Sequence, residues 1–278
     1  MLFFCGWRGR GFCIRIQGVT SHTPNNNRNR FRMMKTVECK KTAYTRIKRC
    51  LDFITALCAL IVLSPVFLIV AILVRTKLGS PVIFTQKRPG LGNRIVSYHK
   101  FRSMTNAKDA DGNLLPDSIR LTRFGKALRA TSLDELPQLW DILTGRMSLI
   151  GPRPHLVRDM LFYTDDQLRR QSVMPGLTGW AQINGRNSIG WDKKLELDLY
   201  YVDHISFSLD VKIFFKTIAY VLKREGINEN DAQETTEVET HENLGEMLLR
   251  TGRITKEHYD MMLIQEKEIM AKGGGTPN

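Results

Sequence analysis

Apolar residues are spread very unevenly along the chain. Residues 53–74 (FITALCALIVLSPVFLIVAILV) form an almost unbroken apolar run. A helix needs about 20 such residues to cross a bilayer, so the run is long enough. Two features argue against a plain crossing. Ser64-Pro65 falls in the middle, where the proline removes a helical hydrogen bond and clashes with the preceding turn. Both flanks are basic, with Arg46, Lys48 and Arg49 before the run and Arg75 and Lys77 after it. Positive charge prefers the cytoplasmic side of a membrane. A helix-break-helix that enters and leaves by one face suits both ends. Ser64 and neighbouring protein can then satisfy the backbone groups freed at the break. A kinked spanning helix is the other reading.

The pattern then turns amphipathic. It predicts a small β-hairpin, with strands around 82–85 and 95–98 and a turn at Pro89-Gly90-Leu91-Gly92. The Gly90-x-Gly92 pair lacks the third glycine and following helix of a phosphate loop, so it reads as a turn. Residues 122–130 read as a short basic helix, a second helix opens at Ser132, and 156–172 are helical again. Residues 174–187 are a Gly/Pro/Asn-rich loop. Two amphipathic helices follow, over 192–205 and 209–224. In the second, Ile213, Phe214, Ile218, Val221 and Leu222 share one face, with Lys212, Lys216, Lys223 and Arg224 opposite. That apolar face suits either a core or a membrane surface. The fold class expected is α+β and mostly helical. The map is a disordered or extraneous segment at 1–33, a membrane element at 34–80, a cytosolic body at 81–227, an acidic linker at 228–240 and a helical appendage at 241–278.

Composition sharpens this map. The net charge is +13, but residues 1–49 hold twelve Lys/Arg and one acid, whereas 229–278 hold eleven acids and five Lys/Arg. The basic end calls for an anionic partner, a membrane surface or a nucleic acid. Residues 1–33, with PNNNRNR, are too sparsely apolar for a signal peptide and read as disordered, or as an extension ahead of a true start at Met33 or Met34. The five cysteines all lie at or before position 58 with no Cys-x-x-Cys pair, so neither a disulfide framework nor a zinc site is expected. The six histidines are scattered. Only His155 lies near suggestive chemistry, and it reads as structural.

That chemistry centres on Asp134-Glu135. Ser132-Leu133-Asp134-Glu135 fits a capping box, with Ser132 as N-cap and Glu135 reaching back. A helix N-terminus would also favour Asp134 as an anion. Three features point beyond capping. Pro137 weakens the first turn. Arg153 lies between two prolines, and Arg186 sits in a glycine-rich loop; both present a guanidinium suited to bidentate phosphate contact. The body is tethered to a membrane element. One carboxylate can accept a phosphoryl group while a second helps to hold Mg²⁺. The combination suits phosphoryl transfer involving a lipid.

KFRSM, SLDELPQLWDIL, MSLIGPRP, PGLTGWAQINGRN and LDLYYV occur here in that order. In these motifs the chain resembles the bacterial polyprenyl-phosphate phosphosugar transferases in their small monotopic form, over about residues 46–226. The resemblance implies transfer of a sugar-1-phosphate from a UDP-sugar to polyprenyl (undecaprenyl) phosphate, with release of UMP. It implies Asp134 as nucleophile, forming a phosphosugar intermediate, and Glu135 as the residue assisting Mg²⁺. Arg153 within GPRP would bind phosphate beside Pro152, with Arg186 and Lys100 near the substrate. Ser64-Pro65 would be the re-entrant break, with the catalytic body on the cytoplasmic face of the bacterial inner membrane. DAQETTEV resembles the subgroup acting on diacetamido sugars of the diacetylbacillosamine type. Residues 241–270 lie outside the small form, loosely resemble a module of secretion ATPases, and are expected to dock a protein partner.

Two rivals are weaker. A glycosidase needs carboxylates facing each other across a bond, about 5–9.5 Å apart. Consecutive helical residues point about 100° apart and do not. A membrane-associated basic scaffold, or a nucleic-acid-binding protein, would explain the charge. That charge sits beside the membrane element, however, and no nucleic-acid-binding motif is present, so no nucleic-acid partner is expected.

Overall fold

The computed structural model describes residues 37–40, 42–185, 189–223 and 242–272. Expectations for residues 1–33, for Arg186 and for the linker at 228–240 lie outside these. Helix α1 spans Ala43–Val62 and opens on a Thr42 capping box, in which Thr42 Oγ1 accepts from Thr45 N and Thr45 Oγ1 from Thr42 N. Helix α2, Ser64–Leu78, begins one residue later with Pro65 in its first turn, where proline's missing N–H costs nothing. The two helices are bent by 66°. Ser64 Oγ donates to Ile61 O at 2.8 Å, so the serine satisfies a carbonyl at the break. No single helix among the described residues is long and apolar enough to cross a membrane, but the bent pair passes the same test together. Ile54, Ile61, Val62, Leu68, Ile69 and Ile72 on this pair are exposed.

Strands β1 (Ile83–Pro89) and β2 (Ile95–Phe101) form the antiparallel hairpin, with Phe84 opposite Lys100. They run longer than the pattern alone indicates, and the Gly90–Gly92 segment is the connecting turn. Short helix α3 (Asp117–Arg120) and the basic helix α4 (Arg123–Ala130) follow. Helix α5 (Gln138–Leu143) packs on α1. Strands β3 (Ser148–Ile150) and β4 (Gly176–Thr178) pair in parallel, a small second sheet that was not anticipated. Between them residues 156–172 are not one helix. They form α6 (Val157–Met160) and a 3₁₀ segment at Gln167–Ser172. Thr164 and Gln167 exchange side chain–backbone hydrogen bonds, and this local alternative restarts the chain direction. Helices α7 (Trp180–Ile183), α8 (Trp191–Asp203) and α9 (Phe207–Lys223) complete the body. Finally α10 (Leu244–Arg250) and α11 (Lys256–Lys272) pack against α6, with Phe162 stacked on Tyr259 at 5.8 Å.

The face of α9 divides between the two readings. Ile213 is fully buried with Tyr201, Val202 and Ile183, whereas Ile218 is exposed.

Helix α1 is fastened to the body by buried charge. Asp210 of α9 accepts from Lys48 Nζ at 2.6 Å and Tyr201 OH at 2.8 Å, and also from Tyr44 OH. Asp52 accepts from Ser148 Oγ at 2.7 Å and Leu149 N at 3.1 Å. Removing one partner of a buried pair leaves the other charge uncompensated, at a cost of about 3–5 kcal/mol. Asp210→Ala is therefore expected to lower stability by about that much in chemical denaturation of the detergent-solubilised protein. Adding Lys48→Met should recover part of the loss, because it removes an ammonium left with only Asp52, 3.9 Å away. A loss no larger than that of a surface substitution, or no recovery in the double variant, would show that the pair is not what holds α1.

Candidate active site

Asp134 and Glu135 lie in a three-residue 3₁₀ turn, Leu133–Glu135, ahead of α5. The expected capping box is absent. Ser132 adopts a left-handed φ of 56° and makes no side-chain cap, and Glu135 turns away towards two cations. Glu135 Oε1 accepts from Lys100 Nζ at 2.6 Å and from Arg153 Nη2. Two full charges outcompete one backbone N–H for the carboxylate. So short a turn also carries little of the helix dipole expected to favour Asp134. Pro137 ends the turn as the N-cap of α5, so it interrupts no helix.

Lys100 comes from β2. Arg153 is delivered by close backbone packing between the loop after β3 and strand β4. Gly151 N donates to Thr178 O at 2.8 Å and Gly176 N to Pro152 O at 3.0 Å. A Cβ on Gly151 would meet Met174 O at 2.3 Å, and one on Gly176 would meet Gly151 N at 2.1 Å. Glycine is required here for close backbone approach. Behind the loop, Arg170 is fully buried; its Nη2 donates to Arg153 O and to Asp198 Oδ2, both at 2.6 Å. Pro152 is buried, and its carbonyl supports this packing.

The structure therefore brings Asp134, Glu135, Lys100 and Arg153 together on one cavity of about 1740 Å³. Pro152 is not among its lining residues. The cavity also takes in Arg88, Arg129, His155 and Trp191, and it reaches Leu63 at the break between α1 and α2. Sequence reasoning singled out neither Arg88 nor Arg129, and it read His155 as structural. The one signal available for Arg88 was its place two residues before the hairpin turn.

Electrostatics separate the two acids. Burial pushes the Asp134 carboxyl up to about 6; Lys100 and Arg153 offset part of this and Glu135 adds to it. Asp134 accepts no hydrogen bond from the described residues, and its nearest cation is Lys100 Nζ at 3.9 Å. For Glu135 burial also acts upward, but Arg153 and Lys100 overcome it and hold the carboxyl at about 2. Burial and Arg153 lower Lys100, while the acids act against that. Mg²⁺ is ordinarily held by one or two carboxylates together with substrate phosphates. Asp134 and the second oxygen of Glu135, which takes no hydrogen bond from the described residues, fit that donor set.

Residues 43–224 match the family described as bacterial sugar transferase. The chain belongs to this family. Over 185 residues the transferase is 50% identical to the uncharacterized sugar transferase EpsL of Bacillus subtilis (strain 168), covering 66% of this chain and 92% of that protein. It is 42% identical over 181 residues to the UDP-glucose:undecaprenyl-phosphate glucose-1-phosphate transferase of Klebsiella pneumoniae, covering 62% of this chain and 39% of that one. It is 39% identical over 191 residues to the UDP-N-acetylgalactosamine-undecaprenyl-phosphate N-acetylgalactosaminephosphotransferase of Aeromonas hydrophila, covering 64% and 44%. The transferase thus spans under half the length of the latter two. The matched region holds Asp134, Glu135, Lys100 and Arg153, whereas α10 and α11 lie beyond it.

The raised carboxyl of Asp134 has a cost in stability. An acid whose folded pKa exceeds its unfolded value of 3.8 favours the fold when protonated. That contribution is full below the unfolded value and lost as pH rises through about 6. At pH 8 the ionised residue therefore costs about 2–3 kcal/mol. Asp134→Asn cannot ionise, so it should be more stable than wild type at pH 8, with a gain that shrinks as the pH falls towards 4. Glu135 has the opposite sign, contributing stability above its ordinary 4.5 that is lost as pH falls towards 2. Thermal unfolding of both proteins across this range checks the sign; a pH-independent difference would count against a buried, destabilised carboxylate.

Proposed function

We propose that the transferase moves a sugar-1-phosphate from a UDP-sugar to polyprenyl phosphate through a phosphosugar bound to Asp134. The observation that carries this reading is a buried carboxylate free of hydrogen bonds from the described residues. It lies beside Lys100 and Arg153 on a cavity that reaches the break in an apolar helix pair. With its pKa raised to about 6, Asp134 is a better nucleophile than an ordinary carboxylate yet still ionised at neutral pH. A carboxylate oxygen of Asp134 attacks the phosphorus that carries the sugar. The bond from that phosphorus to the bridging oxygen breaks, and UMP leaves with the electron pair. An oxygen of polyprenyl phosphate then attacks the same phosphorus. The acyl phosphate bond breaks, Asp134 regains its carboxylate, and polyprenyl-diphosphate-sugar departs.

Arg153 and Lys100 stabilise the charge that develops on the phosphoryl oxygens. Glu135 holds those two cations in place. Glu135 and Asp134 are the residues that would hold Mg²⁺, which supplies neutralisation of the diphosphate. The donor is a UDP-hexose; the motif resemblance favours a diacetamido or N-acetylated sugar, while relatives are named for glucose and for N-acetylgalactosamine. The product would be the first lipid-linked sugar of a glycan. Without lipid, incubation with the preferred UDP-sugar should add the mass of one phosphosugar to the protein and release one UMP. Asp134→Asn should abolish the adduct and lower turnover by at least a thousandfold, and initial rates should follow a ping-pong pattern. Glu135→Gln should raise the Mg²⁺ requirement and also lower turnover, because Lys100 and Arg153 lose the charge that holds them. An adduct on another residue, or ternary-complex kinetics with no adduct, would assign the attack to the lipid phosphate instead.

We also place α1 and α2 in the membrane as a re-entrant pair, with the body on the cytoplasmic face. Supporting this are the 66° bend at Ser64-Pro65, the exposed apolar residues around it and the basic residues at both ends. Single cysteines at Thr45 and Ser80, in a cysteine-free background, should both resist an impermeant thiol reagent in intact cells and both react after lysis. Reaction of just one from outside would mean a spanning helix.

A further inference from the structure

Behind Arg153 lies a chain of side chains that the transfer chemistry does not use. Arg170 Nη1 lies 3.2 Å from Tyr163 OH, and Tyr163 OH lies 2.5 Å from His155 Nδ1. A guanidinium can only donate, so the phenolic oxygen accepts from Arg170. Its own proton then points to His155, whose Nδ1 must accept it. Burial, with Arg170 and Lys194 adding to it, holds the imidazole well below its usual pKa, and burial keeps the Tyr163 phenol protonated. A neutral imidazole that accepts at Nδ1 carries its proton on Nε2. That N–H has no hydrogen-bond partner among the described residues, and His155 lines the cavity with Trp191 and Lys194. Trp191 packs edge-on against the imidazole at 5.0 Å and is itself held by its Nε1–H to Glu242 O at 2.9 Å.

We propose that His155 Nε2–H is a specificity donor that reads an acceptor oxygen on the sugar of the UDP-sugar, with Tyr163 as the positioning residue that fixes its tautomer. The inference rests on the function proposed above. His155 is two residues from Arg153, which faces the diphosphate, so the neighbouring wall meets the group attached to that phosphate. The wall combines a neutral donor, an aromatic ring and an ammonium. Such a wall suits a hydroxyl or amide oxygen on a hexose better than another phosphate, for which a neutral donor adds little charge.

The test compares kcat/KM for UDP-glucose, UDP-galactose and their N-acetylated counterparts, with free UDP as a competitive inhibitor lacking the sugar. His155→Phe should lower kcat/KM for the preferred sugar about 10–100-fold and compress its preference over the others. Inhibition by UDP should stay unchanged, which also shows that the variant is folded. His155→Gln keeps a donor and should recover part of the preference. Tyr163→Phe leaves the imidazole in place but frees its tautomer, and should compress the preference in the same direction by a smaller factor. Equal losses for every sugar, or weaker inhibition by UDP, would overturn the proposal by assigning His155 to the nucleotide or to the fold. If His155→Phe does not fold, unchanged preference in Tyr163→Phe overturns it alone. The wild-type adduct separates the two levels: an adduct on Asp134 together with unaltered preferences sinks the sugar contact and spares the transferase reading.

Discussion

One carboxylate holds this site together. Glu135 accepts from Lys100 on the hairpin and from Arg153 on the loop after β3, elements separated by fifty residues of chain. Without that acid two partly desolvated cations would face each other in a half-buried cleft. With it, β2 and the Gly151–Pro154 loop are pinned to the same 3₁₀ turn. The neighbouring acid then lies beside both cations but is bonded to neither. The catalytic potential of Asp134 thus follows from the engagement of Glu135. The pair illustrates a general rule: adjacent titratable groups pushed apart in pKa take different roles.

The second constraint is the coupling of this cleft to the apolar helices. Helix α1 is not a loose tether. Its Lys48 and Asp52 are buried against Asp210 and Ser148, and Arg49 donates to the carbonyls of Ile142 and Leu143 at the end of α5. The helix that would enter the lipid is therefore bolted to the helix that follows the catalytic turn. Leu63, at the break, lines the same cavity as Asp134. On the reading proposed above, a long lipid phosphate and a water-soluble nucleotide sugar would meet at one carboxylate without either leaving its own phase.

Much of this was legible in the sequence, and the gaps have physical causes. The Ser64-Pro65 break, the hairpin, the basic helix α4, and α8 and α9 follow from apolar period and from proline and glycine chemistry, which are local. The capping box at Ser132 was a correct local pattern that tertiary charge overrode. No local rule could announce that Lys100 and Arg153 would converge on Glu135. The helix expected over 156–172 failed at Thr164 and Gln167, where side chains offered the backbone a rival set of bonds. The parallel pairing of β3 with β4 was missed because two three-residue strands carry no usable period. Its glycines, Gly151 and Gly176, looked like loop residues. Arg170 and Asp198 are a buried pair linking distant segments, invisible without the fold. Arg153, Lys100 and the two acids were singled out by motif, and the structure places them together on one cavity, with Glu135 bonded to both cations.

Burial explains why the nucleophile proposed above is not simply an exposed acid. An exposed aspartate would be fully ionised and well solvated, hence a weak attacker on a diphosphate. Enclosure beside Lys100 and Arg153 strips much of that water, and the raised pKa of about 6 records the cost. The fold bears that cost because Asp134 is short and held by a turn whose conformation Ser132 and Pro137 fix at either end. The same enclosure makes each neighbouring charge count for more, since fields are screened less where water is excluded. Moving Arg153 by even an ångström would then weaken both the phosphate contact proposed for it and the balance that keeps Asp134 ionised at neutral pH. That is why backbone packing too close for any side chain, at Gly151 and Gly176, lies directly behind the arginine.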